Sequence, residues 1–207
     1  MKILVVHEVS YKKKVVYEYQ DFAERLSKNG HEVTVVDFDE HGKGAYERSS
    51  FSKTGLANIL HISTPFINLP ILKYVSARLN YKRILKQLIS EKKIDVVLLY
   101  SVFINGTNTV RICKEYKIPV VYRVLDIYHK LRENPLIMIP LYLGERFIYR
   151  HADWVCVTNS VLEKYVAKLS KRSALDKIIT LHHGVDTTFF KPNKKNINKL
   201  KEHGFSD

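Results

Sequence analysis

Apolar positions along this chain fall into two alternating arrangements. Short unbroken runs, beginning with Ile3-Leu4-Val5-Val6, lack polar alternation, as expected of strands covered on both faces. Between them lie longer stretches with apolar residues three and four apart, the spacing of a helix with one buried face. Strands are predicted over 3–6, 33–38, 94–100, 119–124, 154–157 and 178–181. Helices are predicted over 15–28, 71–90, 108–116, 139–150 and 161–169. In the first helix Val16, Tyr19, Phe22, Ala23 and Leu26 carry the period, and Asn29-Gly30 supplies its stop. Residues 39–60 are polar and glycine-bearing and read as loop, and Pro65 and Pro70 break the chain before the second helix.

Repeated strand–helix–strand units of this kind call for an α/β fold, a Rossmann-like, doubly wound and mostly parallel sheet. No internal repeat is visible. Residues 1–190 parse as one domain, and the lysine- and asparagine-rich 191–207 as the start of a linker to a further domain.

Composition narrows the picture. At 207 residues and 45% hydrophobic content, the chain can fill one large core. A net charge of +13 implies attraction to something anionic: nucleic acid, anionic lipid or phosphorylated substrates. Much of it gathers between Lys73 and Lys93, where Lys82, Arg83 and Lys86 alternate with apolar and aromatic residues. Such a stretch is either the solvated face of a core helix or a grip on an anionic membrane surface. No nucleic-acid recognition motif accompanies the charge. Of two cysteines, Cys113 and Cys156, the second sits in an apolar run and reads as a buried reduced thiol, which suits a reducing, cytoplasmic compartment. The opening run is too short for a signal peptide, and the most apolar run, 135–143, is about half a membrane span. The Asn105-Gly106-Thr107 sequon is read as accidental.

In a doubly wound sheet, ligands bind beyond the carboxyl ends of the strands. The residues standing there are His7-Glu8, Tyr100-Ser101, Asp126 through His129, Thr158-Asn159-Ser160 and His182-His183-Gly184. Many of these bond sugar hydroxyls or phosphates. A dinucleotide fingerprint is missing: after the first strand come His7-Glu8-Val9-Ser10-Tyr11-Lys12-Lys13-Lys14, with no glycine for a pyrophosphate to approach. No Walker sequence and no Cys-x-x-Cys or His-Glu-x-x-His spacing occurs, so neither cofactor nor metal is expected.

Several segments, in order and over nearly the whole chain, resemble the N-terminal domain of family 4 glycosyltransferases of the GT-B type. Gly30-His31-Glu32-Val33-Thr34-Val35-Val36 is similar to that family's GHEVtVv, and Arg150-His151-Ala152-Asp153-Trp154-Val155 followed by Asn159-Ser160 to its r.AD.vi..S. His183-Gly184-Val185-Asp186, with Phe189 or Phe190 and Pro192, resembles the signature that closes the domain. Three departures stand out. Lys12 to Lys14 replace a glycine-rich loop, Leu125-Asp126 replaces a His-Asp pair with His129 a turn later, and His183 replaces an asparagine.

The resemblance implies the acceptor-side half of a retaining transferase. A second Rossmann-like domain would grip the nucleotide-diphosphate sugar donor, and the acceptor would be lipid-linked or otherwise anionic. Asp126 is the candidate catalytic residue. His7, Lys12, Lys13, Tyr100, Arg123, His129, Asn159, Ser160, His183 and Gly184 are candidate substrate-binding residues. Arg123 can either bind phosphate or pair with Asp126, and Gly184 either lets backbone approach a ligand or is a plain turn glycine. The rival reading is a Rossmann-like module that binds membrane or a partner subunit without turnover.

Overall fold

The computed structural model describes residues 1–15, 18–39, 41–70, 72–170 and 177–184, together with Thr187 and Glu202. Val16 of the first helical pattern, most of the closing signature after Gly184, and the linker expected over 191–207 (Glu202 apart) lie outside the described residues.

In chain order the elements are β1 (Lys2–Val6), α1 (Glu18–Lys28), β2 (Glu32–Asp37), β3 (Glu47–Phe51), β4 (Ile59–Ser63), α2 (Leu72–Lys92) and β5 (Val96–Leu99). Then follow α3 (Gly106–Glu115), β6 (Val120–Val124), a 3-10 turn (Tyr128–Leu131), α4 (Pro135–His151), β7 (Trp154–Val157), α5 (Ser160–Ser170) and β8 (Ile178–Thr180). All eight strands form one sheet in the order β3-β4-β2-β1-β5-β6-β7-β8. Every pairing is parallel except β3 with β4. The order reverses direction between β1 and β5, which makes the space beyond Val6 and Leu99 the topological switch point.

Every predicted strand and helix is present, with ends moved by a few residues. The region read as loop, 39–60, is different: it contains β3 and the start of β4. β3 reads Glu-Arg-Ser-Ser-Phe and is mostly exposed, as the edge of a sheet. Polar edge strands resist pairing with other chains, and that same polarity removes the periodic signal that betrays a buried strand.

The two faces of the sheet carry different cores. On one side α2 to α5 pack over Leu4, Val6, Leu99, Tyr122 and Val155, with Tyr81, Leu85, Ile148 and Val166 reaching in from the helices. On the other, α1 covers Ile3, Val5, Val33 and Val35 through Tyr19 and Ala23. Phe66 and Tyr81, aromatics of the basic stretch, are core residues and not surface ones. Cys113 is the buried cysteine, whereas Cys156 is only half-buried; both are free thiols, and burial raises each thiol above its ordinary value.

The second face depends on an acid. Glu24 of α1 is fully buried and takes hydrogen bonds from the Tyr11 hydroxyl (2.9 Å), the Ser52 hydroxyl (2.7 Å), the Thr54 hydroxyl (2.5 Å) and the backbone N–H groups of Lys53, Thr54 and Leu56. One carboxylate thus holds the turn after β3 against the helix layer. Burial pushes its acidity down, but the donors from Thr54, Ser52 and Lys53 outweigh that and hold it at about 2, against an ordinary 4.5. A carboxyl depressed in the folded state stabilises above its unfolded value and loses that contribution as pH falls through the folded one. The shift is worth about 3 kcal/mol at neutral pH. Acid titration followed by circular dichroism should therefore show stability falling between pH 4.5 and about 2. Glu24→Gln should remove most of that acid limb and lower stability at pH 7 by about 2–3 kcal/mol.

Candidate functional site

The crevice beyond the strand ends is assembled from the turns after β1, β5, β6, β7 and β8. At its centre His7 leaves β1 and lies nearly parallel to the Tyr100 ring that ends β5, with ring centres 5.8 Å apart. Tyr19 of α1 closes on the His7 edge at 4.5 Å. Burial, reinforced by the Lys14 charge, lowers the His7 imidazole to about 3, so it is neutral at physiological pH. Its Nδ1 accepts the Glu8 N–H at 2.8 Å, which places the proton on Nε2. His7 is therefore a neutral hydrogen-bonding group.

Two places here have the makings of an anion site, and the chain fills both with its own carboxylates. The first is the run of N–H groups before α3. Glu8 accepts from Val102 (3.3 Å), Phe103 (3.4 Å) and Ile104 (2.8 Å), where a phosphate would otherwise be cradled. Burial raises the Glu8 carboxyl, and those three amides together with Arg132 pull part of the rise back. The approach is close: a Cβ at Gly106, which starts α3, would lie 2.2 Å from the Ser101 carbonyl oxygen.

The second is Arg123, on β6 and almost fully buried. Its Nε meets Glu18 Oε1 at 2.6 Å and its Nη2 meets Glu18 Oε2 at 2.9 Å. Its Nη1 donates to the carbonyls of Val157 (3.2 Å) and Leu181 (2.7 Å). Of the two alternatives for Arg123, the pairing with Asp126 is replaced: the acid it meets is Glu18. Burial alone would weaken the guanidinium's hold on its proton, and Glu18 more than restores it. Glu18 also pairs with His183 Nδ1 and receives the Tyr100 hydroxyl at 3.5 Å.

The other candidates divide cleanly. Asp126 is exposed on the turn after β6, at the crevice edge. Asn159 and Ser160 stand at the start of α5, where the Asn159 side chain accepts the Val161 and Leu162 N–H groups as a helix cap. His183 is exposed, and its neighbour His182 turns the other way to the Thr158 carbonyl at 3.0 Å. Among the described residues, a Cβ at Gly184 would meet nothing within 4 Å, and its φ is not left-handed.

Lys12 and Lys13 point elsewhere, to Glu47 and to Asp39 (2.6 Å) beside the β3 edge. His129 is buried against Glu145 of α4, with Tyr165 at 3.3 Å on its other nitrogen, as part of the packing between α4 and α5. Among the described residues, no three His, Cys, Asp or Glu side chains converge where a metal ion can sit.

Sequence reasoning set Glu8 at a strand end without giving it a role, and it missed Glu18. Glu18 left a trace, as an acid in the first turn of a helix that starts beside the crevice. That position is equally common for acids that merely complement the helix dipole.

The chain matches the family model Glycosyltransferase Family 4 over residues 19–189. It belongs to glycosyltransferase family 4. No curated protein sequence matches it. Among solved structures it is similar to a sucrose-phosphate synthase from Thermosynechococcus elongatus (TM-score 0.74, 12% identity), covering 99% of this chain and 53% of that one. Anabaena Alr3699/HepE, solved in complex with UDP, superposes with TM-score 0.59 at 13% identity, over 98% of this chain and 50% of the other. A UDP-GlcNAc 2-epimerase from Methanocaldococcus jannaschii gives 0.60 at 12%, over 87% and 45%. This family 4 chain thus spans about half the length of the structures it matches, and its sheet is one Rossmann-like half of a GT-B fold.

The Glu18–Arg123 pair yields a test of the crevice. Removing one partner of a buried pair typically costs about 3–5 kcal/mol, because the other charge stays buried alone. Glu18→Ala should lower stability by about 3 kcal/mol, and Glu18→Ala/Arg123→Met should recover much of that loss in chemical denaturation. A double variant no more stable than Glu18→Ala would show that Arg123 is not held by Glu18.

Proposed function

We propose that this chain is the acceptor-facing half of a retaining glycosyltransferase that moves a sugar from a nucleotide-diphosphate donor to a lipid-linked or other glycan acceptor on the cytoplasmic side. Supporting this reading is the family match over residues 19–189, on a sheet whose crevice bonds hydroxyls while its own anion sites are already filled. A diphosphate finds no open cradle beside His7 or Arg123, so the donor is gripped by a second domain across the cleft. This half supplies neutral donors and acceptors (His7, the Tyr100 hydroxyl, Asn159, Ser160) suited to a polyhydroxy acceptor.

Glycosyl transfer develops negative charge on the departing diphosphate and positive character at the anomeric carbon. Closing two domains over both excludes water that would otherwise intercept the sugar. On this side Asp126 is the exposed carboxylate at the end of a buried strand. It orients the acceptor hydroxyl and takes its proton as the new bond forms. The His183 imidazole, held by Glu18, marks where the chain leaves the last strand, beside that hydroxyl.

The experiment is a transfer assay on this domain joined to its donor half, with UDP- and GDP-sugars, a glycan acceptor and readout of nucleotide release. Asp126→Asn should reduce turnover about a hundredfold, the usual reach of a positioned acid–base group, with an unchanged melting temperature. Near-normal turnover removes Asp126 from the chemistry. Absence of transfer with every donor and acceptor tried, from a folded two-domain protein, leaves the non-catalytic binding module as the reading.

A further inference from the structure

The outer surface of the helical layer formed by α2, α3 and α4 is patterned along the helix axes. On α2, Leu72, Val75 and Leu79 are exposed and lie on the side opposite the buried Ala77, Tyr81 and Leu88. One or two turns further on, the same stripe becomes Lys82, Arg83 and Lys86. On α4 the pattern recurs. Leu136, Ile139 and Leu143 are exposed opposite Leu141, Glu145 and Ile148, and the stripe continues into Arg146 and Arg150.

In both helices the apolar part runs over eight residues (72–79 and 136–143), a length of about 10 Å, and begins at the crevice edge. Leu136 is 81% exposed and Leu79 64%, which no core demands. The loop before α3 joins the two apolar tips. Phe103 is exposed there, its ring meets Tyr74 of α2 at 6.1 Å, and its carbonyl accepts from Arg78 at 2.9 Å. On the α4 side, the backbone at Gly144 lies against Val102. Below this apolar rim runs a basic belt, to which α3 adds Arg111, seated 4.9 Å over the Phe147 ring of α4. Glu115 offsets one of these cations, lying 3.6 Å from Lys86.

We propose that this family 4 domain docks on an anionic lipid leaflet through the corner where its helical layer meets the crevice. Leu72, Leu79, Phe103, Leu136 and Leu143 enter the headgroup–acyl boundary, and the Lys82–Arg83–Arg146 belt lies at headgroup depth. An apolar band about 10 Å tall beneath a band of cations matches the depth to which interfacial helices sink and the level at which anionic headgroups sit. A second domain facing the strand ends leaves these outward stripes open, because they point away from the sheet. The inference rests on the transferase reading for its purpose: a docked corner holds the crevice mouth at the membrane surface, where a lipid-linked acceptor arrives. Among the described residues no helix is long and apolar enough to cross a membrane.

Co-sedimentation of the 207-residue chain with phosphatidylcholine vesicles, with and without phosphatidylglycerol, tests the docking. Binding is expected only with phosphatidylglycerol, weakening as salt rises. Leu79→Ser/Leu136→Ser and Lys82→Glu/Arg83→Glu should each reduce it at least tenfold, with circular dichroism unchanged. Depth is read by moving the single tryptophan: in a Trp154→Phe background, Leu136→Trp should shift its emission to the blue on vesicle addition, while Ser90→Trp, on the same outward stripe of α2 but below the belt, should not.

Failure of the wild-type chain to pellet with either vesicle overturns the proposal, as does pelleting that the Leu79→Ser/Leu136→Ser change leaves intact. An equal blue shift at both tryptophan positions replaces corner docking with a helix lying flat. Concentration-dependent dimerisation abolished by Leu136→Ser makes a second copy the occupant. Transfer to a water-soluble acceptor by the two-domain protein, without vesicles, reports on the transferase reading separately, so either idea can fail while the other stands.

Discussion

A buried guanidinium organises the working edge of this domain. Arg123 sits in the middle of the parallel sheet with almost no access to water, and a charge there must be compensated where it stands. The compensation comes from three directions: Glu18 at the start of α1, the Val157 carbonyl after β7, and the Leu181 carbonyl after β8. One side chain therefore ties the ends of three neighbouring strands to α1, the helix covering that face. The chain leaves β8 along a path set by the Leu181 carbonyl, and His183 completes the cluster from that path. The cation adds to the direct Glu18–His183 pair and to the Leu181 N–H bond with the Val157 carbonyl (2.8 Å), so that Glu18, Leu181 and His183 meet at one point.

The same economy of charge decides what the crevice can hold. Parallel α/β sheets offer anions the N-termini of their helices, and phosphate-binding members leave glycines there so that a ligand can reach the amides. Here Glu8 takes the amides before α3 and Glu18 takes the guanidinium. What stands beside them is neutral or exposed: an imidazole that burial keeps uncharged, the buried Tyr100 phenol, amide and hydroxyl side chains, and the exposed Asp126 carboxylate.

Much of this was legible in the sequence because parallel strands announce themselves as unbroken apolar runs. Ile3 to Val6 and Trp154 to Val157 are recognised by that alone, and the helices between them by their three-and-four spacing. β3 was not legible, since an exposed edge strand carries no apolar period and its position is fixed from outside by the Glu24 carboxylate and by pairing with β4. For the site, the topology rule placed His7, Tyr100, Asp126, Asn159 and His183 at the carboxyl ends of the strands, and the fold has them there. It could not say which way a side chain turns. Lys12 and Lys13 follow a strand end yet turn to acids at the β3 edge, and His129 turns inward to Glu145. Partner choice over a separation of 105 residues, as between Glu18 and Arg123, leaves no local pattern to read.

The excess of positive charge also changes meaning once it is placed. A global +13 says only that an anion is near. In the fold, Lys12 pairs with Glu47, Lys13 with Asp39, Lys92 with Glu32 at 2.5 Å and Arg123 with Glu18, pairs that are neutral and leave the excess to other cations. Lys82, Arg83 and Arg146 are among those others, and they lie on the outward stripes of α2 and α4, directly behind exposed leucines. A solvated helix face would have scattered those two kinds of residue along its length, with the leucines turned inward. Their segregation into a band of each, repeated on two helices that are not adjacent in sequence, is what a boundary between water and an apolar medium selects. On the proposed docking, charge and apolar exposure share one explanation, at the edge where the crevice opens.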